Sequence, residues 1–319
     1  MKTVPILVVA LVPASLALAT AFGSVDLGPG RLADALLGRG DEIAREIVWG
    51  VRAPRALAGF ACGGLLALAG ALLQVLLRNP LADPTILGVS GGAAVGALGA
   101  MLLGVGAAGL NLAALAGASI AAGAVFAFSL GRSGWNPYRV LLTGVALASG
   151  FGALVGLMLS LAPSSQVQGM LFWLLGDLSP AGDPSAALVV LAGCAALAFS
   201  QSAALDVLIL GEDKARSLGV AVTRLQSIAF GCATLATVAA VLLGGSIGFV
   251  GLVVPHLLRL TGVHRHGALL PLSACLGGSL LALADTLART VAAPSELPVG
   301  VLTAMIGVPV LLFLLAKLR

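Results

Sequence analysis

The chain has 319 residues, of which 59% are hydrophobic and 9% are charged, and its formal net charge is +4. A soluble globular domain carries about 25% charged residues, so 17 basic and 13 acidic side chains cannot cover a water-facing surface. A soluble enzyme is therefore excluded. The 43 glycines follow no three-residue period, which excludes a collagen-like chain. They lie inside apolar runs, where membrane helices use small residues for packing.

The apolar runs predict about ten membrane-spanning helices, because a span needs about 20 apolar residues and must satisfy its own backbone. The first run resembles a signal peptide, with Lys2 before it and the small residues Ala17 and Ala19 inside it. It is long enough to cross the membrane, so we expect an uncleaved first span. The predicted spans are 4–23, 56–77, 85–107, 110–131, 140–162, 184–200, 225–244, 247–262, 268–288 and 299–316. The eighth is short and contains Gly248, Gly251 and Pro255, which predicts a break.

Three polar segments separate these spans, at 24–55, 201–224 and 289–298, and no soluble domain is predicted within residues 1–319. With ten spans and a cytoplasmic N-terminus, eleven basic residues face the cytoplasm and six face outward, as the positive-inside rule favours. The cytoplasmic set is Lys2, Arg78, Arg132, Arg139, Lys214, Arg216, Arg224, Arg259, Arg265, Lys317 and Arg319. The outer set is Arg31, Arg39, Arg45, Arg52, Arg55 and Arg289. Apart from Arg289, the outer basic residues are all in one loop. The positive-inside rule does not explain this concentration, which therefore indicates a separate role for these residues.

The residues that ATP hydrolysis or ion coupling needs are missing from the sequence. None of the three lysines follows a glycine, so the chain cannot form a P-loop. The spans have almost no ionisable residues, apart from some near their ends such as Asp285, which disfavours proton- or sodium-coupled transport. Since the spans also lack a reactive set, we expect no catalytic residue and no enzymatic activity. Active transport by this chain must take its energy from a partner.

The histidines and cysteines give weak signals. His264 and His266 lack a third ligand, so a solvated basic loop is favoured over a metal pair. His256 follows Pro255, and we expect it to bond a carbonyl freed by that proline. The cysteines are expected to pack as small apolar side chains, with no disulfide and no metal site. They are Cys62, Cys194, Cys232 and Cys275.

Pairs of glycines four residues apart recur in the spans and predict close helix packing. For one pair, Gly152 and Gly156, a substrate pathway is the alternative. The other sets are Gly59/Gly63, Gly88/Gly92/Gly96 and Gly244/Gly248.

Residues 205–220 form the most informative polar segment. Gly211 can break a helix there and Gly219 can end one. Leu210, Ala215 and Leu218 can form an apolar face beside charged side chains. A short cytoplasmic helix pair of this kind is suited to docking in the groove of another protein, and an ordinary surface loop is the alternative.

This segment resembles the cytoplasmic coupling motif of the FecCD family, the permease subunits of type II ABC importers for iron-siderophores, haem and cobalamin. Seven further motifs resemble the family in its order along the chain. They lie at 52–59, 74–84, 87–93, 173–176, 248–259, 284–289 and 296–300. One departure is Asp177 after Gly176, where the family more often has serine, and it leaves substrate handling near the outer mouth in doubt.

The resemblance implies an all-α permease with ten spans and cytoplasmic termini, a multi-pass protein of the cell inner (plasma) membrane. It implies a homodimer that binds two separate ATP-binding ABC subunits and a periplasmic or lipoprotein substrate-binding protein. ATP and Mg²⁺ are used by the ATPase, while this chain binds no cofactor, no metal and no nucleic acid.

The resemblance also implies roles for particular residues. The ATPase-coupling residues are Leu210, Gly211, Glu212, Ala215, Leu218 and Gly219. The residues that dock the binding protein are Arg52, Arg55, Arg289 and Glu296. The translocation pathway follows the fifth span and includes Thr143, Leu147, Gly152, Met158 and Ser160. Arginine suits docking because its planar fork meets a carboxylate with two hydrogen bonds, and rim charges act mainly on encounter rate.

The predicted function is import by alternating access, in which an intact iron chelate passes a pathway without chelating groups. A siderophore complex is the first expectation, and haem or cobalamin is the alternative within the family. An ion-coupled carrier or channel, and a membrane scaffold or intramembrane enzyme, are the alternatives from other classes.

Overall fold

A computed structural model describes residues 3–131, 134–179 and 181–317, so Lys2, Arg132 and Arg319 lie outside the described residues. The α-helices are α1 Thr3–Ala21, α2 Pro29–Leu36, α3 Glu42–Arg45, α4 Ala53–Leu76, α5 Val89–Leu102, α6 Ala107–Ser129, α7 Pro137–Leu161, α8 Ser164–Leu175, α9 Ser185–Ser200, α10 Ser202–Leu208, α11 Glu212–Ser217, α12 Val222–Gly244, α13 Val250–Leu260, α14 His266–Thr290 and α15 Val299–Lys317. A π-helix, Glu46–Arg52, joins α3 to α4, and a 3₁₀-helix, Pro84–Leu87, precedes α5. The strands β1 Leu130–Gly131 and β2 Gly134–Trp135 pair antiparallel.

All ten predicted spans coincide with helices. Six helices in the described chain are long and apolar enough to cross a membrane, counting 42–76 as one, and α9 with α10 forms a seventh segment bent by 60°. Three shorter apolar helices account for the rest, at 89–102, 250–260 and 299–313. The chain is therefore an all-helical, polytopic membrane protein apart from its two-residue strands.

Two predicted loops contain helix instead. The second long helix begins at Glu42, not near residue 56, because Asp41 caps it by accepting the Ala44 N–H at 2.6 Å. Its first turns are polar, which made them look like a loop. The segment 163–183 contains α8, whose length of 12 residues is too short for a hydropathy signal.

The core surrounds α4, which lies against α9, α12, α13 and α14. Close helix packing is confirmed at Gly63, where an added Cβ would collide with the Gly277 carbonyl of α14, and at Gly96, where it would collide with the Ala113 carbonyl of α6. At Gly152, Gly156 and Gly248 the Cβ position is open, so among the described residues no helix packs closely there, and for Gly152 and Gly156 the alternative of a substrate pathway stays a prediction.

The predicted break is present only at the start of the eighth run, around Gly248, and the prediction is wrong at Gly251 and Pro255, which lie inside the continuous helix α13. Helix α12 ends before Gly245, whose φ is +69°, and α13 begins only at Val250. Backbone bonds join this break to two other helix ends, since Asp177 N donates to the Gly244 carbonyl at 3.0 Å and Gly300 N to the Gly176 carbonyl at 3.4 Å. The ends of α8 and α12 and the start of α15 therefore meet.

The histidine predictions are wrong for His266 and His256, whereas His264 is exposed in a loop as expected. His266 is fully buried at the start of α14, with Nδ1 2.5 Å from Asp206 Oδ1, so it does not lie in a solvated loop. The aspartate fixes the ring and also accepts the His266 backbone N–H at 2.9 Å. In the part of the chain that the structure describes, neither ring nitrogen of His256 has a hydrogen-bond partner.

Candidate functional site

Two polar clusters lie at opposite ends of the antiparallel helices α4 and α14. We call them the Arg55 end and the Glu212 end after a central residue of each. The Arg55 end contains the C-terminus of α1, the start of α4 and the end of α14. The Glu212 end contains the end of α4, the start of α14 and the segment 205–220. The predicted docking and coupling residues are thus separated by the length of these helices.

At the Arg55 end, one guanidinium joins two carboxylates from distant parts of the chain. Arg55 donates from Nε and Nη2 to Asp285 of α14, with shortest distances of 2.9 Å, and from Nη1 to Glu296 Oε2 at 2.7 Å. The Ser179 hydroxyl oxygen lies 2.8 Å from the same glutamate oxygen and 2.6 Å from Asp177 Oδ1, so its one hydrogen can be donated to either carboxylate. The cluster therefore connects α4 and α14 with the loop after α8 and the segment before α15.

The other two predicted docking arginines also bond inside the chain. Arg52 donates to the carbonyl oxygens of Ala21, at 2.6 Å, and Val25. Arg289 donates to the Ala19 carbonyl, and its Nε lies 3.7 Å from Asp285. Both arginines therefore hold the end of α1 against the bundle.

The three arginines do not form an exposed rim, because Arg52, Arg55 and Arg289 are 3%, 8% and 3% exposed. This corrects the expectation of rim charges. A guanidinium in an apolar environment needs partners, and the chain supplies them itself. Docking of another protein here stays a prediction, and Glu296 is the partly exposed member of the cluster.

Glu296 lies outside the spans, and its environment acts on it in two directions. Burial raises the pKa of its carboxyl, while hydrogen bonds from Arg55 and Ser179 lower it. The hydrogen bonds and the nearby charges prevail, so the pKa of Glu296 lies below its ordinary value.

A cavity of about 920 Å³ opens beside this cluster. It lies between α8, the loop after it, the α5–α6 connection and the end of α12. Its polar lining includes Asn111, Gln168 and Ser179, and Trp173 adds an aromatic wall. Asp177, the departure from the family pattern, also lines this cavity.

The predicted pathway residues all lie on α7 but do not share one face. Leu147 and Met158 point toward α5, where they lie against Gly88 and Gly99, and half-buried Thr143 is one turn before Leu147. Gly152 and Ser160 are exposed. Most of α7 is exposed in the single chain, because only 11% of the residues in its apolar 18-residue stretch are buried.

At the Glu212 end, the segment 205–220 folds as two short helices, α10 and α11. Gly211 separates them with φ +116°, and Gly219 follows with φ +83°, as predicted for a break and an end. Leu210 and Leu218 are 59% and 65% exposed, whereas Ala215 is fully buried. The expected apolar face is thus carried by the two leucines, and Ala215 packs inward.

Glu212 and Asp206 fix these helices to the bundle. Glu212 lies 3.3 Å from Arg78, which follows α4, and accepts a hydrogen bond from Gln226 of α12 at 3.1 Å. It also pairs with Arg216 within α11 at 3.3 Å. Asp206 binds His266 of α14. A protein that binds and displaces α10 and α11 therefore also displaces the ends of α4, α12 and α14.

Sequence reasoning left several polar residues of the two ends without a role. Asp285 is an ionisable residue in an apolar span, and such a residue implies a partner, which was the available signal. Gln74, Asp83 and Arg259 belong to the quoted motifs, and the structure brings them together near the Glu212 end. No pattern in the sequence indicates that pairing, because the partners lie up to 185 residues apart.

Comparison with known proteins gives consistent results. The model of the FecCD transport family matches residues 8–317. The cobalamin import system permease BtuC of Halobacterium salinarum is 43% identical over 278 residues, covering 86% of this chain and 74% of the relative. The vitamin B12 import permease BtuC of Escherichia coli O9:H4 is 40% identical over 277 residues, covering 85% and 84%.

Two solved structures are similar. One, described as an inward-facing ABC transporter of metal-chelate type, has a TM-score of 0.87 at 28% identity and covers 99% of this chain and all of that one. The other, PsaBC from Streptococcus pneumoniae in complex with Fab, has a TM-score of 0.58 at 16% identity over 89% and 94% of the two chains. The second supports the fold alone.

Proposed function

Because the chain belongs to the FecCD transport family, we propose that it is the membrane-spanning subunit of an ATP-driven importer of cobalamin. The observation that supports cobalamin as the cargo is the 43% identity to a cobalamin permease over 86% of the chain. The relatives thus favour the alternative cargo over the siderophore that was expected first. A metal-chelate cargo other than cobalamin is the second candidate, favoured by the similar solved structure at 28% identity.

The energy for transport comes from a separate ATP-binding subunit. The chain has no P-loop lysine of its own, and its spans have few ionisable groups for ion coupling. The exposed Leu210 and Leu218, which follow the ends of the short helices α10 and α11, supply an apolar docking face with charged residues of α11 around it. In the proposal two ATPase subunits bind here and use ATP and Mg²⁺.

The functional unit in the proposal is a homodimer in the inner membrane, with the cargo pathway at its axis. Helix α7 supports this arrangement because most of its surface is uncovered in the single chain. Its exposed Gly152 and Ser160 face away from α5, and the Ser160 hydroxyl donates to the Leu157 carbonyl at 2.8 Å. An exposed face that offers few free polar groups suits the passage of a large intact chelate.

Cargo is delivered at the Arg55 end by a substrate-binding protein, a carboxylate of which displaces the partly exposed Glu296 from Arg55, while the buried Arg52 and Arg289 hold the end of α1 behind this contact. Binding and hydrolysis of ATP displace α10 and α11 and exchange the open side of the pathway. The cavity beside Trp173 and Asp177 lies on the delivery side in this proposal.

Uptake into proteoliposomes tests the proposal. The chain is reconstituted with its ATP-binding subunit and binding protein, and radiolabelled cyanocobalamin is followed with and without ATP. We expect accumulation that requires ATP and that excess ferric siderophore or haem does not compete away. Flux without the ATPase would favour a channel or ion-coupled carrier. ATP-dependent uptake of the siderophore but not of cyanocobalamin would favour the second candidate.

A further inference from the structure

A buried glutamine lies between the end of α4 and the start of α13. Gln74 is 4% exposed, and its Nε2 lies 3.4 Å from the Ala82 carbonyl and 3.3 Å from each of the Gly251 and Leu252 carbonyls. Its Oε1 accepts a hydrogen bond from Arg259, at the far end of α13. One side chain of α4 thus contacts both ends of α13 and the turn at 78–88.

A buried carboxylate makes the second connection between this turn and α13. Asp83 is 6% exposed and accepts hydrogen bonds from the Thr85 N–H at 2.9 Å and from its hydroxyl at 2.6 Å. Burial raises the pKa of this carboxyl, whereas the backbone N–H of Leu252, in the first turn of α13, lies close enough to lower it. A carboxylate at a helix N-terminus satisfies a free N–H and favours the helix dipole. Pro84 packs so closely on Gly251 that a side chain there would collide with it.

The same turn is connected to α11 by a residue in an unfavourable backbone conformation. Arg78 has φ +48° at the position after α4, where helices usually place glycine. Its side chain reaches Glu212, 3.3 Å away. A backbone outlier of this kind points to a functional side chain when the chain could have used glycine.

We propose that Arg78, Gln74 and Asp83 form a relay that moves the turn, α13 and α11 as one body. The three are positioning residues, and this role rests on the proposed ATP-driven function. Displacement of α11 by the ATPase pulls the turn through Arg78 and carries α13 along through Gln74 and Asp83.

The relay also reaches the predicted pathway. Helix α5 begins immediately after the turn, and Gly88, with φ +70°, lies against Leu147 and the Gly144 carbonyl of α7. A side chain at Gly88 would bring its Cβ within 3.2 Å of Leu147. The turn therefore contacts both the coupling segment and the helix assigned to the pathway.

The Arg78→Gly variant tests the relay without threatening the fold, because glycine adopts φ +48° freely. The complex with ATPase and binding protein is reconstituted, and cyanocobalamin uptake and phosphate release are measured together. We expect normal assembly, ATP hydrolysis within about twofold of wild type, and about fivefold less cargo per ATP, the low end of typical coupling between sites. Arg224→Ala is the control, since Arg224 is exposed at the start of α12 and makes no ion pair among the described residues.

Unchanged cargo per ATP in Arg78→Gly would overturn the relay, and so would a variant that fails to fold, because the strain argument requires glycine to be tolerated. If the wild-type complex shows no ATP-dependent uptake, the proposed function fails instead.

A second measurement excludes a direct contact between Arg78 and the ATPase. Gln74→Met removes the buried hydrogen bonds at a position that no partner can touch, and we expect the same loss of cargo per ATP. Spin labels at partly exposed Leu81 and Leu257 report whether the turn and α13 move together. If the relay is correct, the distance between the two labels in the wild type is the same with and without nucleotide. In Gln74→Met the distribution of this distance should be broader. A nucleotide-dependent distance in the wild type would contradict the relay.

Discussion

Asp285 is a buried carboxylate near the end of an apolar helix, and two buried arginines depend on it. Arg55 donates to it from two nitrogens, and Arg289 lies one turn further along the same helix. The desolvation cost of such charges is offset only while every partner is present. The cluster therefore adds little to the net free energy of folding. Its main effect is to determine which ends of α4, α14 and α1 lie together.

Removing Asp285 alone should leave Arg55 with Glu296 as its remaining carboxylate partner and should take from Arg289 the carboxylate that its Nε approaches. We expect Asp285→Leu to cost about 3–5 kcal/mol, the range for breaking a buried pair. Thermal unfolding of the purified protein in detergent measures this. The double variant Arg55→Leu/Asp285→Leu should lose less than Asp285→Leu alone. As a control, Arg31→Ala removes the exposed pair with Asp41 and should leave the melting temperature nearly unchanged.

Glu296 should make the Arg55 end sensitive to acid. Its pKa is below the ordinary value in the folded chain, so the ionised form stabilises the fold at neutral pH. That contribution is lost as pH falls through the folded pKa. The melting-temperature difference between wild type and Glu296→Gln should therefore be present at about pH 7 and shrink toward about pH 4. A difference that stays constant over this range would show that the charge of Glu296 contributes nothing.

Among the elements, α4 and α14 pack through glycines that leave no room for a side chain. An added Cβ at Gly63 meets the Gly277 carbonyl and the Leu281 side chain. Membrane helices gain little from the hydrophobic effect between them, so close backbone approach supplies the attraction. Helix α7 lacks this packing, which indicates a surface left for lipid or a second copy.

Two glycine-to-alanine variants distinguish these helices. Gly63→Ala should destabilise the chain by about 1–3 kcal/mol, because backbone must move to accept the methyl group. Gly152→Ala has open space and should be neutral or stabilise by about 0.5–1 kcal/mol through helix propensity. Melting temperatures in the same detergent compare them. Equal losses would show that α7 is packed as closely as α4.

The sequence predicts the apolar elements well and the polar ones poorly, for a physical reason. Every long apolar run became a helix, since backbone in lipid has no other partner. Hydropathy predicts a polar segment at 24–55 because the charges there lower it, yet Arg52 and Arg55 find partners within the fold and residues 42–52 form helix that continues into α4. Helix α8 is too short to show a span signal.

For the whole molecule, the sequence predicts well which polar residues have a role, but it predicts poorly whether their side chains are buried or exposed. The arginines of the outer segment were recognised as a concentration that needs a reason. Their burial could not be foreseen, because Arg55 and Asp285 are 230 residues apart. The break at Gly211 was predictable from local chemistry, whereas the contact of Glu212 with Arg78 depends on the packing of α4 beside α11.

The burial of the arginines changes what docking at the Arg55 end requires. Every nitrogen of Arg55 that donates a hydrogen bond does so to Asp285 or Glu296, so a carboxylate of a binding protein must compete with Glu296 for Nη1. Charge reversal at Arg52 or Arg289 is a poor test of docking, because each holds the end of α1 and its loss should lower the amount of folded protein.

Glu296→Ala is the sharper test of docking. It removes the competing carboxylate and leaves Arg55 held by Asp285, so we expect the binding protein to associate about fivefold more tightly, equivalent to about 1 kcal/mol. Binding to the permease–ATPase complex in nanodiscs, at low and high salt, measures this, and the gain should shrink at high salt. Asp177→Asn removes a nearby carboxylate that bonds Ser179 rather than Arg55, and it should give a smaller gain. If Glu296→Ala instead weakens binding, Glu296 itself contacts the partner and the arginine cluster serves only to hold it in place.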